Sequence, residues 1–284
     1  MNNPYQQFVA GYARLVSEQY PMGKAGPGRR VIIARDAPQV LLFSPHPDDE
    51  CITGALPLRL ERERKMNVIN VVVTQGSRHD RQAERLAELR QACDYLGFGV
   101  LPTAKHGLEK INPANREQNP AAWAEAVAVI AGILRQRQPR LIFVPHEKDW
   151  NTTHIGTHYL VNDALKIMPI SFCCGVVETE FWAPMLNPNL MIESSVADVT
   201  DLVTALSFHV GEVSRNPYHL RLPAWLQDNV RRGGELVGGQ GTVAPTFVFA
   251  TLYRFRVWAR GKYKKAAAPG KFISCNDRLG DIFG

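Results

Sequence analysis

Val40-Leu41-Leu42-Phe43-Ser44-Pro45-His46-Pro47-Asp48-Asp49-Glu50 sets four apolar residues just ahead of one imidazole and three carboxylates. The apolar run reads as a buried strand. The polar run reads as the loop at its carboxyl end, where open α/β sheets bind their ligands. Three adjacent acids repel one another unless a cation or a proton neutralises them. His46 and one Asp suit a zinc-like ion, and the neighbouring Asp is then free to act as a base. The plain alternative is a polar turn or a helix N-cap, a common place for a single Asp. One cap does not account for a His-Pro-Asp-Asp-Glu run after a four-residue apolar strand, so the metal reading is preferred.

Working outward, strands alternate with amphipathic helices. Helical spacing over 4–20 puts Phe8, Tyr12, Leu15 and Val16 on one side, and the Gly/Pro/basic segment 21–30 reads as a loop. A short strand is expected at 31–35. A helix is expected over 53–65, with Pro57 in its first turn. The β-branched run 68–74 predicts a parallel, buried strand. Helices follow over 80–96, closed by Gly97, and over 121–136. A strand is expected at 141–144, a helix at 153–167 and a strand at 174–181. This order predicts an α/β fold, a Rossmann-like three-layer sandwich with a mostly parallel sheet and its site at the carboxyl ends of the strands. Beyond about residue 183 the pattern weakens, apart from helical character near 199–214. That part reads as a C-terminal elaboration (183–284) of one domain with its core at about 38–182. Gly233-Gly234 and Gly238-Gly239-Gln240-Gly241 read as flexible loop bordering the site. They lack the Lys-Ser/Thr of a phosphate-binding loop.

A catalytic zinc takes three protein ligands and keeps one position open. The first loop offers two, so a second strand-end loop must supply another. Pro145-His146-Glu147-Lys148-Asp149-Trp150-Asn151-Thr152-Thr153-His154 follows the strand at 141–144 and fits that place. His154 is the candidate ligand. His158 lies one helical turn on, and its part in the site is left open, as is that of His146. His79, His106, His209 and His219 have no comparable context.

Composition sets the wider limits. The chain has 284 residues, 45% apolar and 21% charged, which suits a folded globular protein. No apolar stretch reaches the length of a membrane span, and no secretory signal is visible at the N-terminus. Five cysteines without a C-x-x-C pair argue against a disulfide framework and for a reduced, cytoplasmic setting. The net charge of +6 is moderate. Arg254, Arg256, Arg260, Lys262, Lys264 and Lys265 interleave with aromatic residues and could meet anionic lipid or a glycolipid. The preferred reading is a strand or helix with a solvated basic face, with Tyr253, Phe255 and Val257 alternating against Arg254, Arg256 and Trp258. No nucleic-acid-binding motif is present, and no nucleic-acid partner is expected.

Together these motifs resemble the PIG-L/LmbE-like zinc de-N-acetylases, which include N-acetylglucosaminyl-phosphatidylinositol de-N-acetylase and the deacetylases of mycothiol and bacillithiol synthesis. The A/S-H-P-D-D-E motif stands as Pro45-His46-Pro47-Asp48-Asp49-Glu50. V-x-T-x-G stands as Val72-Val73-Thr74-Gln75-Gly76. R-x-x-E…A-x-x-x-L-G stands as Arg85-Leu86-Ala87-Glu88…Ala92 to Gly97. D-x-H-P-D-H falls on Asp149 to His154. The resemblance implies one Zn²⁺ per chain held by His46, Asp49 and His154, with Asp48 as general base and Arg85 as a substrate contact. Fe²⁺ or another divalent metal would suit the same donors. It further implies a small-molecule or glycoconjugate substrate bearing an N-acetylated amino sugar.

Two positions depart from the family pattern. Asn151 stands where many members carry a His, and Thr153 replaces an Asp. Asn151 can donate a hydrogen bond to an oxyanion but cannot act as an acid. The acid is then Asp48 after protonation, or a neighbour such as His158, which is also expected to contact substrate. Two rival readings follow: a weak or inactive sugar- or metal-binding homologue, and a different metallohydrolase such as a two-metal phosphoesterase. Homo-oligomerisation is left open.

Overall fold

In the computed structural model, which describes residues 3–264, 270–279 and 283, the strands are β1 (Gln39–Ser44), β2 (Asn67–Val72), β3 (Gly99–Pro102), β4 (Leu141–Pro145), β5 (Cys173–Thr179), β6 (Leu190–Ser194), β7 (Phe249–Ala259), β8 (Lys262–Lys264) and β9 (Lys271–Ile273). The helices are α1 (Gln6–Ser17), α2 (Leu56–Arg64), α3 (Gln82–Leu96), α4 (Pro113–Gln118), α5 (Pro120–Arg137), α6 (Thr152–Lys166), α7 (Val196–Ser207), α8 (Val210–Val213) and α9 (Leu222–Gly238). All nine strands join one sheet in the order β3-β2-β1-β4-β5-β7-β6-β9, with β8 beside β7. The first five run parallel. β7 is antiparallel to β5, β6 and β8.

β1 lies inside the sheet, and its pleat divides the apolar core. Val40 and Leu42 pack with the face that carries α2, α3 and α7, while Leu41 and Phe43 pack with α5 and α6. Burial on both sides explains why its sequence is a continuous apolar run rather than an alternating one. The chain leaves β1 towards β2 and β3 on one side, and β4 pairs on the other. The strand order therefore reverses between β1 and β4. The two polar loops that follow them face one crevice there.

Several boundaries differ from the sequence reading. Residues 31–35 form no strand. β3, α4 and β6 are too short to be anticipated, while α9, whose buried residues recur at helical spacing, is masked by its glycines. Gly233 and Gly234 lie inside α9, not in a loop, and both are buried. A Cβ at Gly233 would stand 2.2 Å from Met191 Cε, so close packing against β6, not flexibility, accounts for that glycine.

The basic stretch of β7 is a strand, but its basic face is not solvated. Glu178 of β5 is fully buried opposite it. It accepts from Arg254 Nη2 at 2.7 Å and pairs with Arg256 Nη2 at 2.9 Å. Trp258, on the same face, is 4% exposed. Arg260, Lys262 and Lys264 are exposed, and Lys265 lies outside the described residues. Among the described residues no helix is long and apolar enough to cross a membrane.

The Glu178 clamp joins the antiparallel strands to the parallel half. Glu178→Ala leaves two guanidiniums without their carboxylate and is expected to lower the unfolding free energy by about 3 kcal/mol in urea titrations. A loss under about 1 kcal/mol would equate the clamp with an exposed ion pair. Glu61 of α2 is buried, with one carboxylate oxygen lacking a partner. Burial pushes it from its ordinary 4.5 to about 7, against the pull of Arg62, Arg30 and Lys65. The folded chain thus holds that proton more tightly than the unfolded chain. The stability this contributes is full below pH 4.5 and is lost as pH rises through 7. Glu61→Gln should gain in melting temperature on the native chain across that window, and a difference independent of pH would contradict this.

Candidate active site

The loop after β1 turns sharply into a short 3₁₀ turn, Asp49–Cys51. Asp48 takes φ 116°, a left-handed conformation rare for a residue with a side chain. Such strain costs about 1–3 kcal/mol and persists only where its surroundings hold it. Here Asp48 N donates to Glu50 Oε2 at 3.0 Å. Glu50 is fully buried, and its other oxygen lies 2.7 Å from His209 Nε2. Arg85 Nη2 donates to the Pro47 carbonyl at 2.9 Å. Gly76, at φ 83°, makes room for that guanidinium, since a Cβ there would stand 2.5 Å from Arg85 Nη1.

The turn brings His46 and Asp49 together, and α6 brings His154 to them. His46 Nδ1 stands 3.2 Å from His154 Nε2 and 3.4 Å from Asp49 Oδ2. His154 Nε2 stands 3.3 Å from Asp49 Oδ2. Nitrogen and oxygen donors 2.0–2.1 Å from a tetrahedral ion lie about 3.3 Å from one another. The triangle has that size and the donor types of a zinc-like centre, so these residues fit a single divalent ion. Burial acts to raise the Asp49 carboxyl, but His154 and then His46 outweigh it and hold Asp49 well below the usual carboxylate range. On its far side, His154 Nδ1 faces Asp149 Oδ2 at 3.7 Å. Asp149 is itself fixed by the backbone N–H groups of Asn151, at 2.8 Å, and Trp182, at 3.1 Å. A carboxylate behind a ligating imidazole orients the ring.

Asp48 lies beside the triangle without belonging to it. Burial, then the charge of Asp49, push its carboxyl up to about 6, while His209, Arg85 and Tyr218 act the other way. The Tyr218 hydroxyl donates to Asp48 Oδ2 at 2.6 Å, and Arg85 Nη2 stands 3.8 Å from the same oxygen. Asn151 caps α6, its Oδ1 accepting from Thr153 N at 2.8 Å. With the oxygen so engaged, the Nδ2 group is the end left to donate.

A cleft of about 670 Å³ opens over these groups, lined by His46, Asp48, Asp49, Arg85 and Asn151 among others. His154 lies behind Asp49 and His46, fully buried. His158 does not reach the cleft. Its Nδ1 lies 2.9 Å from the Pro145 carbonyl and 3.7 Å from Glu178 Oε1, so it belongs to the clamp under β7. Burial holds it below its ordinary imidazole value. This corrects its expected role as substrate contact or acid, and the cause is the rise of the helix rather than its phase, about 6 Å over four residues on one face. Four residues past His154 the side chain has moved along α6 to the region beneath Pro145. His146 also turns away, to the Ala183 carbonyl at 2.9 Å. The glycines at 233–241 contribute nothing to the lining.

Sequence reading missed Tyr218, His209, Trp182 and Glu212. Trp182 and Glu212 line the cleft. Tyr218 and His209 lie in the C-terminal part, where periodicity is weak, and reach Asp48 and Glu50 only through the tertiary fold. The excess of acids in the first motif was the available signal that buried partners must exist.

Several solved structures share this fold. An N,N'-diacetylchitobiose deacetylase from Pyrococcus horikoshii is 15% identical, with 90% of this chain and 93% of that one covered and a TM-score of 0.56. A teicoplanin deacetylase in its zinc-inhibited form is 14% identical, covering 81% and 100%, with a TM-score of 0.52. The 4-carboxy-2-hydroxymuconate hydratase GalB from Pseudomonas putida KT2440 is 16% identical, covering 82% and 100%, with a TM-score of 0.58. At these identities the likeness is one of fold. No curated protein matches the chain. Residues 41–165, which carry most of β1, all of β4 and all three corners of the triangle, match the family model PIG-L, GlcNAc-PI de-N-acetylase.

Proposed function

We propose that the protein is a metal-dependent hydrolase that removes the N-acetyl group from an N-acetylglucosamine-type sugar conjugate. The observation that carries this reading is the His46–Asp49–His154 triangle, with Asp48 beside it at the base of an open cleft. The PIG-L match over 41–165 supports the same reaction class. Zn²⁺ is the ion proposed, one per chain. When bound, it would supply Lewis acidity at the acyl oxygen and lower the pKa of an attacking water.

Asp48 takes the proton of the attacking water and returns it to the leaving amine. The Tyr218 hydrogen bond on Oδ2 fixes the carboxyl plane and leaves Oδ1 for that proton. Asn151 Nδ2 donates to the oxyanion of the tetrahedral intermediate. A preorganised donor of this kind contributes about 3 kcal/mol. As a neutral amide Asn151 moves no proton, and His158 is held away from the cleft, so base and acid duties both fall on Asp48. Arg85, tied to the Pro47 carbonyl, keeps Asp48 in place and faces the substrate. A cytoplasmic setting is proposed on cysteine usage alone.

Two variants test the assignment. Asp48→Asn should keep its metal, measured by elemental analysis, and lose about 10²-fold or more in acetate release; a near-normal rate would remove Asp48 as the base. His154→Ala should lose the stoichiometric metal, and an unchanged metal content would remove it from the ligand set.

A further inference from the structure

No residue of α1 is buried. At 100° per residue, Tyr5, Phe8, Val9, Tyr12, Leu15 and Val16 fall in an arc of about 120°, opposite Gln7, Arg14 and Glu18. Phe8 is 70% exposed, Val9 61% and Leu15 53%, so the apolar face of the helix points into solvent. A basic segment follows. Residues 1–36 hold Arg14, Lys24, Arg29, Arg30 and Arg35 against Glu18 and Asp36, an excess of three positive charges. Lys24, Arg29 and Arg35 are exposed. The segment is moored beside the cleft. Gly23 N donates to the Ser207 carbonyl at 2.9 Å. Met22 Sδ lies 3.8 Å from Ser214 Oγ, which sits between the cleft residues Glu212 and Arg215.

We propose that residues 5–35 form an interfacial arm that lays the apolar face of α1 into an anionic lipid surface and so holds the cleft beside that surface. Aromatic rings on one helix face, with cations close by, suit the headgroup boundary. Attraction to anionic lipid adds with each Lys or Arg near the surface. A second copy of this chain is a poorer occupant. A 12-residue helix is only about 18 Å long, too short to bury alone the roughly 1,200 Å² of a stable interface. Such pairing would also bring two positively charged segments together.

The test is co-sedimentation of the full chain with vesicles of phosphatidylcholine alone and of equal parts phosphatidylcholine and phosphatidylglycerol, with the oligomeric state followed by light scattering. The arm predicts binding to the mixed vesicles and little to phosphatidylcholine alone. Phe8→Asp with Tyr12→Asp, and separately Lys24→Glu with Arg29→Glu and Arg35→Glu, should each weaken binding by about tenfold or more. Because α1 buries nothing, thermal unfolding should not change. Absence of binding to the mixed vesicles, or equal binding by both variants, would overturn the proposal. So would a dimer that the Phe8/Tyr12 variant dissolves, which would give the face to a second copy.

Discussion

Three carboxylates in three consecutive residues, all buried, are the constraint from which the rest of the site follows. Side by side in a medium of low dielectric, Asp48, Asp49 and Glu50 repel one another unless each finds its own compensation. The fold supplies each of the three with partners of its own. Asp49 meets His46 and His154. Asp48 meets Tyr218 and, further off, Arg85. Glu50 turns the opposite way, to His209. The partners come from α3, from α6 and from the region between α7 and α9, so the acidic loop draws distant parts of the chain to one point. The strained backbone of Asp48 follows from this division, since adjacent side chains must leave in different directions.

The division also separates chemical roles. Asp49, pulled down by two imidazoles, is held as a carboxylate and suits a metal ligand. Asp48, pushed up by burial and by its neighbour, is a better proton acceptor than an ordinary Asp. Two identical side chains one residue apart thus acquire different proton affinities from their environments, which suits the different functions proposed for them. Asn151 adds a third kind of group. Its oxygen is spent on capping α6, which orients its amide nitrogen without giving the site an acid.

The parallel half of the fold was legible because its signals are local. The apolar run of β1, the β-branched run of β2 and the helix-closing Gly97 each declare their element within a few residues. His46, Asp49 and His154 were legible because both loops follow strong strands, and a strand order that reverses between those strands brings the loops together. The second half was less legible, since β6, β7 and α9 are stabilised by contacts distant in sequence. The Arg254/Arg256 stretch reads as a solvated face until Glu178, about seventy-five residues earlier, is placed opposite it. His158 shows the limit of spacing arguments: H-x₃-H puts two rings on one side of a helix, but the loop beneath decides whether both reach the cleft.

The most direct measurement is acetate release from a panel of N-acetylglucosamine conjugates by the full chain as isolated, after chelation, and after reloading with Zn²⁺ or Fe²⁺. The account predicts that chelation abolishes release and that one equivalent of a divalent ion restores it. Release that survives complete removal of metal, or a chain that binds one ion and frees no acetate from any conjugate, would contradict it.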